Sequence, residues 1–219
     1  MSTKDTNLDP AVELTAVEKL QSFFEKNKNA VLIGTAVIVL LVAGIVYYTA
    51  IFMPKAEMEA NNAMFDAQYY FEQDSFDLAL NSAGGFLEII EDHGGTKAGN
   101  LAHYYAGISY YNLGNFEEAI DHLNAFSTNE DILGSLSLGV LADAQMESGK
   151  TDAALANYKK AANFSNNEAS APFLLKKAGI AFEMNGDKKQ ANTFYAKILK
   201  DFPNSQLAQD IEKYIGRTK

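Results

Sequence analysis

Hydrophobic and polar positions follow two regimes along the chain. From Ala30 to Met53 the run AVLIGTAVIVLLVAGIVYYTAIFM holds no charged residue across 24 positions. As a helix rising about 1.5 Å per residue, it reaches about 36 Å, enough for a hydrocarbon layer about 30 Å thick. A soluble helix of this length keeps a polar side, and this one has none. A cleaved secretory leader fits poorly, because its apolar core runs about 7–15 residues behind a short basic start. The run here is longer and follows 29 more polar residues. The pattern predicts a retained transmembrane helix over 30–53. Ahead of it, Asp9-Pro10 is suited to starting a helix, and Val17, Leu20 and Phe24 recur at three- and four-residue spacing. Residues 1–29 are therefore expected to form a short amphipathic lead-in. Within the span Ala36, Ala43 and Ala50 lie seven apart, a spacing that lets a second membrane helix approach closely.

Residues 54–219 show a different order, a motif that returns at intervals of 40, 35 and 37 residues. The segments read DSFDLALNSA from Asp74, GNFEEAIDHL from Gly114, GKTDAALANY from Gly149 and GDKKQANTFY from Gly186. Their shared alanines are Ala79, Ala119, Ala154 and Ala191. Before each turn stands a small residue followed three positions later by a larger one: Ala67 and Tyr70, Gly107 and Tyr110, Ala142 and Gln145, Gly179 and Phe182. Each unit is thus expected to be helix, turn, helix, with the small residue permitting close packing and the turn residue relieving the helix end. Such a pair buries its remaining apolar face only by stacking on the next. Asn204-Ser205 starts a last helix, to about Ile215, that closes the stack. The first unit departs from the rule. It has Asp74 for the turn glycine, Ala83 for the usual aromatic, and Gly84-Gly85 inside its second helix, where a bend is expected. The segment HGGTKAGN at 93–100 is expected to be a loop that stretches the period.

Charge refines this picture. Lys19, Lys26 and Lys28 precede the span, and Lys55 is the sole nearby base after it, which predicts a cytoplasmic N-terminus and an outward-facing C-terminal domain. Tyr47, Tyr48 and Phe52, with Phe23 and Phe24 at the other end, suit the two interfaces. The whole chain of 219 residues has a formal net charge of −10 and an apolar share of 47%, so it folds and is a poor ligand for nucleic acid. Charge is also polarised: 57–149 holds one base against 16 acids, and 150–219 holds 12 bases against seven acids.

Candidate chemistry is sparse. The absence of cysteine removes disulfides, thiolate metal sites and thiol catalysis. His93, His103 and His122 have no ligand spacing, and no nucleophile elbow, phosphate loop, dinucleotide fingerprint or HExxH helix is present. No catalytic, cofactor or metal site is predicted, and the chain reads as a non-enzyme.

The small and aromatic positions resemble those of the tetratricopeptide repeats, best over 100–133 and 172–205, with Pro203 where that family often closes a unit. The resemblance implies an all-α fold: one N-terminal transmembrane helix, then a solenoid of about four helix-turn-helix units and a C-terminal capping helix. It also implies a concave protein-binding groove lined by the first helices. Here that groove would present Phe71, Tyr104, Tyr111, Met146, Phe173, Lys176 and Met184. Aromatic and methionine side chains suit adaptable contact with unfolded segments. The family's clamp for chaperone carboxyl termini is not expected, since Tyr104 and Gly139 occupy two of its positions and only Lys176 and Lys177 suit it.

Taken together, the lead VEKLQSFFEKNKNAVLIG, the span and the repeat order resemble the YfgM-like ancillary subunits of the bacterial Sec translocon. That resemblance implies a single-pass inner-membrane adaptor whose periplasmic domain works beside SecYEG with a membrane-anchored prolyl-isomerase chaperone, receiving unfolded or secretory client proteins. The alternative is a scaffold subunit of an envelope or secretion complex that binds one fixed folded partner.

Overall fold

The structure, a computed structural model, describes residues 16–164 and 167–219, and all regular structure among them is helical. The Asp9-Pro10 start of the lead-in lies outside the described residues. The chain divides into two compact units, one ending at Pro54 and the other running from Lys55 to Lys219.

In the first unit, α1 (Ala16–Lys26) and α2 (Lys28–Tyr47) meet at Asn27, whose side-chain amide donates to the Phe23 carbonyl at 2.9 Å. Val17, Leu20 and Phe24 of α1 are exposed, and no side chain of α2 is buried. The Thr35 hydroxyl donates to the Val31 carbonyl and that of Thr49 to Ile45, both at 2.9 Å. The two threonine hydroxyls of the apolar run are therefore satisfied by their own backbone, as a hydrocarbon surrounding demands. The helical segment Lys28–Glu72 is long and apolar enough to cross a membrane; its most apolar window has mean hydropathy 2.7 and is wholly unburied. This is compatible with a single-pass anchor.

A π-helical turn, Tyr48–Phe52, follows α2, and α3 (Met53–Glu72) begins at once. Pro54 supplies no N–H and its ring crowds the carbonyl four residues back, so a widened turn just ahead of it lets helix continue.

The second unit is a succession of helix pairs. After α3 come α4 (Phe76–Asn81) and α5 (Phe86–His93), then α6 (Lys97–Asn112) with α7 (Phe116–Ala125). Next are α8 (Asp131–Glu147) with α9 (Thr151–Phe164), and α10 (Ala171–Met184) with α11 (Lys188–Asp201). From α6 onward each helix packs on the next in the chain, and α12 (Gln206–Arg217) lies on α11. The fold is the tetratricopeptide-like helical array expected.

The turns share one geometry. Asp74, Gly114, Gly149 and Gly186 have φ of 54°, 80°, 76° and 85°, all left-handed. The next residue's N–H reaches back to the carbonyl of Tyr70, Tyr110, Gln145 or Phe182 at 2.8–2.9 Å. That pairing is the Schellman closure of a helix end, and its acceptor is the larger residue of each small–large pair. The small residue has a separate role: a Cβ on Gly107 would lie 2.5 Å from Leu123 Cγ, and one on Gly179 would lie 2.3 Å from the Tyr195 ring.

Two local expectations change. The second helix of the first unit breaks into α4 and α5 instead of bending, because Gly84 is left-handed at φ 74° and Gly85 stands at the start of α5. Gly84 N–H donates to the Glu88 carboxylate at 2.8 Å, which tethers the break. Of the segment 93–100, only Gly94, Gly95 and Thr96 lie outside helix. Thr96 Oγ1 accepts from Gly99 N–H, and Glu57 of α3 accepts from Lys97 and Ala98 N–H, so the start of α6 is fully dressed and extends earlier than the glycines suggest. At the other end Ser205 accepts from Ala208 N–H, and Ile211 of α12 is fully buried.

Candidate functional site

The seven groove candidates fall on the first helices of the pairs and divide by environment. Phe71 on α3 meets the rings of Phe76, Phe86 and Tyr105 edge-on, at centroid distances of 5.5, 6.2 and 5.0 Å. Tyr104 lies 5.3 Å from the Phe126 ring and Tyr111 5.9 Å from Phe116. All three are half-buried. They join neighbouring segments and stay partly exposed. Burial pushes both tyrosine phenols up from their ordinary value, and for Tyr111 the carboxylates of Asp143 and Glu147 add to it.

The others gather at the C-terminal end. Met146 and Met184, with Tyr158, Lys177, Ile180 and Ala181, line a cleft of about 140 Å³. Met184 is 80% exposed. At the side of this cleft Asp143 accepts from the Tyr158 hydroxyl at 2.6 Å and pairs with the Lys177 ammonium. Desolvation and that hydrogen bond both push the Tyr158 phenol up. The network links α8, α9 and α10 and holds Lys177 in place, with its Nζ 5.3 Å from the ring of Phe173, itself half exposed. Lys176 Nζ instead lies 5.1 Å from the Tyr214 ring of α12. There Glu183 receives the Tyr195 hydroxyl at 2.8 Å and Arg217 Nε at 2.7 Å, which fixes the capping helix on the last pair.

In the first unit Ala36, Ala43 and Ala50 are all exposed, the first two on α2 and the third in the π turn. Of the histidines, His93 ends α5, whereas His103 of α6 and His122 of α7 touch, Nδ1 to Nδ1 at 3.0 Å, with the Tyr110 ring stacked on His122 at 5.3 Å. Burial lowers the pKa of both, and at His122 the neighbouring His103 ring lowers it further. Among the described residues no group of three or more His, Asp or Glu converges as a metal site.

Two structural features escaped the sequence reading. The Asp143–Tyr158–Lys177 network joins residues 15 and 34 positions apart, a long-range pairing no local spacing signals. The outer face of α3 did carry a signal: Met58, Phe65 and Tyr69 are spaced at seven and four, opposite the buried Ala60, Met64 and Ala67.

A protein family described as tetratricopeptide repeat-like domain matches residues 21–214. No curated protein matches the chain.

Proposed function

Since the chain belongs to the tetratricopeptide repeat-like domain family, we propose that it is a membrane-anchored, non-enzymatic adaptor whose repeat domain binds proteins outside the bacterial inner membrane. Domains of this kind are protein-interaction modules. The observation that carries the reading is one apolar helix with no buried side chain in the same chain as a stack of helix pairs. The basic residues before the span support a cytoplasmic N-terminus and a periplasmic domain. The resemblance of lead, span and repeat order to the YfgM-like subunits supports a place beside the Sec translocon with a membrane-anchored prolyl-isomerase chaperone. On this reading the cleft between Met146 and Met184, with Phe173 nearby, receives apolar side chains of emerging or unfolded clients, while Phe71, Tyr104 and Tyr111 shape the array that presents it.

Affinity capture of the full chain from detergent-solubilised membranes tests this. SecYEG subunits and the chaperone are the expected co-purifying proteins, and a preparation without them removes the translocon assignment. Stoichiometric capture of a single folded envelope protein, with no affinity for unfolded peptides, replaces the adaptor by a fixed scaffold.

A further inference from the structure

The two ends of the repeat domain are finished differently. At the C-terminal end α12 buries Ile211 and Ala208, and its outer side is polar. At the other end α3 is the first helix of its unit, and the side opposite its buried Ala60, Met64 and Ala67 carries Met58, Phe65 and Tyr69 at exposures of 60, 72 and 57%. Positions seven and then four residues apart lie within about 40° of one another around a helix, so these three make a single stripe. A repeat array requires a polar outer face at each end to remain in water by itself. This end lacks one.

The surroundings of the stripe select its occupant. Glu72 lies on the same face, and Asp66 and Glu59 flank it; the only base on α3 is Lys55, whose Nζ is 3.8 Å from Glu59. Beyond α3 the acidic excess continues through residue 149, with a single base in 57–149. A second copy would bring two such acidic faces together, and anionic lipid headgroups would meet the same repulsion. We propose that the outer face of α3 is a docking site for a basic amphipathic helix of a partner protein, its apolar side on Met58, Phe65 and Tyr69 and its lysines or arginines toward Glu72, Asp66 and the acidic repeats. This rests on the repeat domain being a protein-binding module and adds a second surface, distinct from the Met146–Met184 cleft. The helix-in-groove mode uses the same i, i+3, i+4, i+7 anchors.

The test uses the full chain in phosphatidylcholine nanodiscs and two synthetic helices, one of leucine and lysine, the other of leucine and glutamate, with binding to empty discs subtracted. The leucine–lysine helix binds and the leucine–glutamate helix does not. Phe65→Ser weakens binding about tenfold, as for loss of a central aromatic anchor, while Met184→Ser leaves it unchanged. Raised salt weakens binding further. Phe65 is exposed, so the Phe65→Ser chain is expected to melt like the parent, and equal melting is confirmed alongside. Equal binding of both helices, or no effect of Phe65→Ser, overturns the proposal. So does a concentration-dependent dimer that Phe65→Ser abolishes, or preferential binding of the chain to phosphatidylglycerol vesicles. Loss of translocon capture with Phe65-dependent binding intact would sink the adaptor's location and leave this surface standing. The reverse result would do the opposite.

Discussion

Gly179 shows how much a single hydrogen can decide, because a Cβ there would lie 2.3 Å from the Tyr195 ring, whose hydroxyl is already committed to Glu183. The ring cannot retreat without breaking that bond. Gly179→Ala is expected to cost about 2 kcal/mol by overpacking, whereas Gly34→Ala, with nothing within 4 Å, leaves stability unchanged; chemical denaturation of both variants measures the contrast. The pair His103–His122 makes stability depend on pH with a definite sign. Both folded-state pKa values lie below 6.5, so in mildly acid solution the unfolded chain binds more protons, and stability is lost as pH falls from 6.5 toward the lowered values. Asp121 and Glu118 oppose the shift at His122 without cancelling it. The urea midpoint should drop between pH 7.5 and 5.5, and His122→Gln should flatten that dependence; an equal slope in both chains refutes the assignment. The small–large pairing was legible at this scale because it repeats at fixed spacing. The histidine contact was not, since sequence places the two residues on opposite helices without saying which faces meet.

At the scale of the element, the turns were legible even where the residue type departed from the rule. Asp74 adopts the left-handed conformation of the three turn glycines and makes the same two backbone closures, through its own N–H and that of Ser75. Aspartate tolerates that region, and a β-branched residue does not. Asp74→Gly should therefore change stability by no more than about 0.5 kcal/mol, while Asp74→Val costs about 1–2 kcal/mol, measured as shifts in thermal midpoint. The boundaries were less legible. The glycine-rich run before α6 reads as loop, yet Glu57, forty residues upstream, accepts two of that helix's first N–H groups. A cap from so far away leaves no mark on local composition. Pro54, too, sits within helix, behind a wider turn.

For the whole molecule, the division at Pro54 and Lys55 implies that residues 55–219 contain their own core. Expressed alone, that segment is expected to be water-soluble and to unfold cooperatively, whereas the full chain partitions into membranes; a full chain recovered in the aqueous fraction without detergent refutes the anchor. Fold class and repeat number were readable because periodicity survives substitution. Which aromatic side chains lie exposed was less readable, because the same residue type serves packing at Phe71 and exposure at Phe65. One property follows from the way each helix pair grips only those beside it. With no strand among the described residues and no disulfide reaching across the array, tension applied along the chain has no single bolt to break, so the protein should lengthen in instalments, yielding first at the split between α4 and α5 and behaving less like a brittle block than like a spring with a weakest coil.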